Sequence, residues 1–158
     1  MSAMPAAAKR FSLDTNILVY SIDSAAGRRH ALAAEIVDRA AACDCWLTLQ
    51  ALAEFYAAVT RKGIVPPADA AALASDWLEI FPAAPASAAA LRTALASAAA
   101  GSTSFWDGLL LATAAEAGCT VLLSEDMADG ARIGGVAILN PFTAKGLAEP
   151  ALKLLGQR

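Results

Sequence analysis

Histidine is almost missing from this sequence, and its scarcity narrows the chemistry at once. Among 158 residues there is one histidine, His30, and there are three cysteines, Cys43, Cys45 and Cys119. Cys43 and Cys45 are two apart, unlike the Cys-x-x-Cys of zinc and redox sites, so a tetrahedral zinc centre is hard to assemble. The cysteines are expected to be reduced and structural. His30, in Arg28-Arg29-His30, is expected to be a solvated residue at a helix start. Basic charge is short as well. Twelve Lys and Arg against fifteen Asp and Glu leave a net charge of −3, with a pI of about 5.0. That argues against holding nucleic acid on a large basic surface, but not against a nuclease, because divalent cations at an acidic site reverse the local sign.

Long hydrophobic runs are also missing. The composition is 58% hydrophobic and the mean hydropathy is +0.51, yet much of this is alanine, a helix former. No stretch reaches the roughly 18–20 strongly apolar residues that a membrane-spanning helix needs. The densest part, 82–101, is interrupted by Pro85 and Arg92, and the stretch before Lys9-Arg10 is too short for a secretory leader. The expectation is a cytoplasmic protein of one domain over 1–158, with an N-terminal extension at 1–10 and a C-terminal tail at 143–158.

What is present is an alternation of short strands and helices. Phe11 to Leu13 reads as a strand running directly into a helix through Asp14-Thr15-Asn16. A loop at 23–27 precedes a helix over 28–42, with Leu32, Ile36 and Val37 at helical spacing. A strand at 45–49 leads to a helix at 50–62, ended by Gly63 and Pro66-Pro67. Further helices are expected at 68–79, 87–100 and 105–117, with a short strand at 80–82. Thr120 to Ser124 is a continuous β-branched and leucine run, as a buried parallel strand should be. An acidic turn at 125–130 and a strand at 136–139 follow, then a short helical or irregular tail. The pattern implies an α/β fold, a parallel sheet with helices on both faces.

Four acids stand out by position: Asp14, Glu54, Asp107 and Asp126. Each also has a plainer reading. Asp14 fits an N-cap, Asp107 a capping box with Ser104, and Asp126 a helix start, while Glu54 fits a solvated face. Taken together they point elsewhere. Asp14 and Asp126 both follow strands of one parallel sheet and so share its carboxyl edge, where such sheets bind ligands. Asp107 heads the stripe Leu110, Leu111, Ala114, and Glu54 lies early in a helix that follows a strand. Carboxylates converging in one cleft repel one another. An all-oxygen set of this kind suits Mg²⁺ or Mn²⁺ rather than zinc, and its usual chemistry is attack of an activated water on a phosphodiester.

Asp14-Thr15-Asn16 after a strand, Glu54 in Gln50-Ala51-Leu52-Ala53-Glu54-Phe55, Trp106-Asp107 opening a helix, and Leu123-Ser124-Glu125-Asp126 closing a strand occur in this order. From about Phe11 to Phe142 the chain resembles the PIN-domain ribonucleases, especially the VapC-like toxin branch. The resemblance implies a three-layer α/β/α domain with a central parallel sheet that cuts RNA with bound Mg²⁺ or Mn²⁺. It implies Asp14, Glu54, Asp107 and Asp126 as the catalytic metal-binding acids, with Asp129 as an auxiliary candidate. Thr15, Asn16 and Ser124 would orient them. It also implies a homodimer and a small antitoxin partner. Gly108 stands where the family commonly has alanine. Glu125 is expected to face solvent, Arg28, Arg29, Arg61 and Lys62 are candidate RNA phosphate contacts, and Trp46, Trp77 and Trp106 are expected in the core.

Other readings fit less well. A dehalogenase-type phosphatase wants Asp-x-Asp where this chain has Asp14-Thr15-Asn16. A receiver domain wants an acidic pair after the first strand and a lysine after the last, where Pro141 stands. A non-catalytic module on this fold would be favoured by a missing acid, and all four are present. An RNA-maturation nuclease that is not a toxin is the principal alternative.

Overall fold

The computed structural model describes residues 8–156, so residues 1–7 of the expected N-terminal extension lie outside it. Three strands lie parallel at the centre. β1 (Phe11–Leu13) pairs with β4 (Val121–Leu123), and β4 with β6 (Val136–Leu139). A two-residue strand, β5 (Arg132–Ile133), adds antiparallel to β6, giving the order β1-β4-β6-β5. On the other side of β1, β2 (Leu47–Thr48) and β3 (Ala83–Ala84) form a parallel pair. A bridge between Phe11 and Cys45 and the bond from Trp46 N–H to the Phe11 carbonyl, 3.0 Å, join this pair to β1. The architecture is the expected α/β/α one, with a central, mostly parallel sheet.

Most helices start where a side chain can serve their unpaired N–H groups. Asp14 caps α1 (Thr15–Ile22), Thr48 caps α3 (Leu49–Arg61), Ser87 caps α5 (Ala88–Ala99) and Ser104 caps α6 (Phe105–Glu116). In α4 (Pro67–Ile80) the first helical residue is proline, whose missing N–H costs nothing there. α2 (Arg28–Ala40) starts on Gly27 with neither a capping side chain nor a proline in its first turn.

The core gathers Phe11, Leu13, Ile17, Leu18, Ile36, Leu47, Phe55, Leu122, Leu123 and Ile138, all at most 2% exposed. At roughly 1.5–3 kcal/mol per buried large side chain, this set anchors the sheet to its helices. Leu110, Leu111 and Ala114, the stripe below Asp107, are buried as expected. On α3 the buried face is Ala51, Leu52, Phe55 and Val59, whereas Tyr56 is exposed. The α5–α6 pair packs closely at Gly108. A methyl group there would come 2.9 Å from Thr103 Oγ1 and 3.5 Å from Ala94 Cα, which accounts for glycine in place of alanine.

Several local expectations change. The helix expected to end at Glu79 runs through Ile80, and the strand expected at 80–82 is Ala83–Ala84. It starts beyond Pro82 because the Pro82 carbonyl accepts the Leu47 N–H at 2.9 Å. The tail is ordered by packing: β7 (Phe142–Thr143) and β8 (Gly146–Leu147) form a hairpin, and α7 (Glu149–Leu154) brings Ala151 into the main core. Among the described residues no helix is long and apolar enough to cross a membrane.

Candidate active site

Strand register brings the first pieces together. Leu13 pairs with Leu123, so Asp14 and Ser124, each one residue further on, sit side by side at the carboxyl edge. The Asp14 N–H donates to the Leu123 carbonyl at 2.9 Å and locks that position. Asp14 Oδ1 accepts the Thr15 N–H at 2.7 Å, and Oδ2 accepts the Ser124 hydroxyl at 2.7 Å. Capping and cleft lining are therefore not alternatives for this residue. Asp14 is 8% exposed. Burial pushes its carboxyl above the usual 3.8, the bonds from Ser124 and Thr15 pull it down, and the charges of Asp107 and Asp126 push it up again. Among the described residues no ion pair offsets this buried acid.

Glu54 reaches the same cleft from α3. Its Oε2 accepts the Thr15 hydroxyl at 2.9 Å and its Oε1 the Gln50 amide at 2.9 Å. Gln50 Nε2 also donates to the Trp106 carbonyl at 2.9 Å, tying Glu54 to the start of α6, where Asp107 stands. The Asp107 N–H bonds to Ser104 Oγ at 3.2 Å, and among the described residues no return bond occupies the Asp107 carboxylate. The resulting cleft, about 290 Å³, is lined by Asp14, Thr15, Asn16, Tyr20, Glu54, Lys62, Asp107 and Asp126, with Val19 and Ala58.

Thr15 and Ser124 each hydrogen-bond to an acid of the cleft. Asn16 bonds to none, and its buried amide oxygen and nitrogen have no partner among the described residues. Among the described residues no three His, Cys, Asp or Glu side chains stand close enough to hold one ion between them. The donors nonetheless fit a hard cation: they are all oxygen, they repel one another, and Mg²⁺ takes only one or two carboxylates directly while keeping water.

Other candidates lie elsewhere. Asp129 does not line the cleft, and its Oδ1 accepts the Asn140 N–H at 2.8 Å. Arg61 is exposed on α3, whereas Lys62 lines the acid cleft. Arg28 and Arg29 line a neighbouring pocket. His30 is half-buried with Nδ1 2.9 Å from the Tyr20 carbonyl, so it is not simply solvated.

Glu125 does not face solvent. Its side chain is 18% exposed, pairs with Arg29, and accepts the Tyr20 hydroxyl at 2.9 Å. Burial, with the Glu125 hydrogen bond and charge, pushes the Tyr20 hydroxyl up to about 12. Trp77 is core, packed edge-on to Phe55, and Trp46 lies half-buried beneath Arg10. Trp106 is 60% exposed, contrary to expectation, because α6 turns Leu109, Leu110 and Leu111 inward and leaves its first turn at the rim. Gln50 is the residue that sequence reasoning missed. Its only local signal is the i, i+4 spacing to Glu54.

Solved structures share this fold. VapC20 of Mycobacterium tuberculosis, a sarcin-ricin loop cleaving toxin, superposes with a TM-score of 0.58 at 19% identity, over 73% of this chain and 89% of that one. A toxin–antitoxin complex from Klebsiella pneumoniae gives 0.55 at 22%, over 83% and 97%. DNA-bound VapBC from Salmonella typhimurium gives 0.59 at 16%, over 82% and 96%. At such identities the likeness speaks for the fold. No curated protein matches the sequence. A family model described as the PIN domain matches residues 12–128. That span runs from β1 to just beyond Asp126 and contains all four acids of the cleft: the chain belongs to the PIN-domain family.

Proposed function

We propose that this chain is a Mg²⁺- or Mn²⁺-dependent endoribonuclease and the toxin half of a toxin–antitoxin pair, working in the cytoplasm as a homodimer. The observation that carries the reading is buried Asp14, held in place by Thr15 and Ser124 and facing a cleft that Glu54, Asp107 and Asp126 also line. The likeness to VapC20 and to the Klebsiella complex supports RNA as substrate and a small antitoxin as partner.

One or two of Asp14, Glu54, Asp107 and Asp126 would hold a cation directly and the others through its waters, and the cation would supply positive charge to the phosphodiester and lower the pKa of an attacking water. The remaining work belongs to the chain. Thr15 and Ser124 fix Asp14, so its oxygens need no reorganisation when RNA arrives. Thr15 and Gln50 fix Glu54 from opposite sides. Asn16 lines the cleft, and Lys62 brings a protein cation to the wall. The expected products carry a 5′-phosphate and a 3′-hydroxyl.

Purified protein should cleave RNA in Mg²⁺ or Mn²⁺ and stop in EDTA. Undiminished cleavage in EDTA would remove the metal from the reading. Growth arrest on expression, relieved by a small protein encoded immediately upstream, tests the toxin assignment. No arrest and no such gene would leave a maturation nuclease.

A further inference from the structure

Beside the acid cleft lies a second pocket of about 320 Å³, lined by Arg28, Arg29, Glu125, Asn140, Phe142 and Thr143 among others. The two spaces share a wall. Tyr20 lines the acid cleft, its hydroxyl bonds to Glu125, and its ring meets Phe142 edge-on with centroids 6.0 Å apart. Asp126 of the acid cleft directly follows Glu125 in the chain.

The second pocket carries the opposite charge. Arg28 and Arg29 occupy the first turn of α2, which has neither a capping side chain nor an acid there. Cations at the positive end of a helix are unfavourable, and an anion bound there reverses the balance. Each guanidinium has five N–H donors. Among the described residues each uses one: Arg28 Nη1 donates to the Ala144 carbonyl and Arg29 Nε to Glu125 Oε2. These anchors fix both heads while their remaining donors stay available. Asn140 Oδ1 is taken by the Phe142 N–H at 3.0 Å, which leaves its NH₂ group to the pocket.

We propose that this pocket is a nucleotide subsite of the same active centre. Arg28 and Arg29 take an RNA phosphate flanking the cleaved bond, and Phe142 and Asn140 meet the attached base. The proposal rests on the ribonuclease reading and deepens it. Four acids cannot attract a polyanion, so flanking phosphates require protein cations, and the two arginines supply them one wall away. The volume is at the small end of ligand sites, near 300 Å³, which suits a single nucleotide rather than a duplex. Glu125 becomes a positioning residue, holding Arg29 at the pocket and Tyr20 at the cleft.

The test measures binding of a short labelled single-stranded RNA to Asp14→Asn protein in EDTA, by fluorescence anisotropy across a salt series. Arg28→Ala with Arg29→Ala should weaken binding and flatten the log–log salt slope by about 0.7 for each phosphate no longer neutralised. Lysine at both positions should restore the slope. In the cleaving protein the alanine pair should raise KM and leave kcat nearly unchanged. Asn140→Asp, which adds a like charge without removing either arginine, should also weaken binding and carries the test if the alanine pair fails to fold. Arg92→Ala, on exposed α5, should change nothing. Unchanged affinity and slope in folded alanine or Asn140→Asp variants overturn the subsite and leave the ribonuclease reading standing. Absence of RNA cleavage and binding by the unsubstituted protein overturns both.

Discussion

Arg10 and Asp14 stand at opposite ends of the same three-residue strand, and their surroundings are mirror images. Arg10 is answered from within the chain. Its Nε lies 3.2 Å from Asp44 Oδ1, its Nη1 donates to the Ala117 carbonyl at 2.7 Å, and its guanidinium lies 4.7 Å from the centre of the Trp46 ring. Asp14 receives two hydrogen bonds and, among the described residues, forms no ion pair, while the charges of Asp107 and Asp126 repel it. At the amino edge of the sheet the charge is matched within the chain. The carboxyl edge is left open, in a buried setting where an unmatched charge is costly, and that imbalance is what an external cation would relieve.

The sharpest way to break the comparison is to remove both charges separately. Asp14→Asn should lower RNA cleavage by more than about 100-fold while leaving the melting temperature no lower. Asparagine still caps α1 and Ser124 can turn to accept from its amide. Equal cleavage by this variant would sink the site. Next in size, Mg²⁺ or Mn²⁺ should raise the melting temperature of the unsubstituted protein, by up to about 2.7 kcal/mol of stability at a hundredfold excess over Kd. Scanning calorimetry should show that gain abolished in Asp14→Asn.

Arg10→Ala should do the reverse: full cleavage, with stability lower by about 1 kcal/mol, since one carbonyl bond and a half-exposed ion pair are removed. That corresponds to a fall of roughly 2–4 °C in a thermal melt. The smallest effect is in pH. The folded carboxyl of Asp14 titrates above the ordinary 3.8, so the folded state binds more protons than the unfolded one between the two values. Its penalty is absent below the ordinary value and grows as pH rises to the raised one. The stability gained by Asp14→Asn in EDTA should therefore increase over that window and level off above it. A flat difference in urea melts across the same range would contradict the burial argument.

Part of this was legible in the sequence because it is local. Phe11 to Leu13 reads as a short strand and Thr120 to Ser124 as a buried parallel one, so the acids that follow them, Asp14 and Asp126, were due at the carboxyl edge. Glu54 was reached differently, through the order of motifs, since nothing in α3 itself says that its polar side meets Thr15. Gln50 escaped notice because its decisive partner is a carbonyl 56 residues away. Glu125 was misplaced for the same reason: Tyr20 of α1 and Arg29 of α2 reach it only once both helices have packed. Strands of two residues, such as β3 and β5, carry too little pattern to announce themselves, and their ladders persist because neighbouring strands supply the partners.

The sequence by itself therefore determined the α/β alternation, the caps that start most helices, and the acids after β1 and β4, because periodicity and capping act within a few residues. Tertiary structure alone decided the rest: Asp14 sharing one cleft with Asp107 and Asp126, Glu54 fixed between Thr15 and Gln50, and an arginine pocket sharing the Tyr20–Glu125 wall. Each of these depends on side chains far apart in the chain being brought together by packing, and no local pattern encodes that.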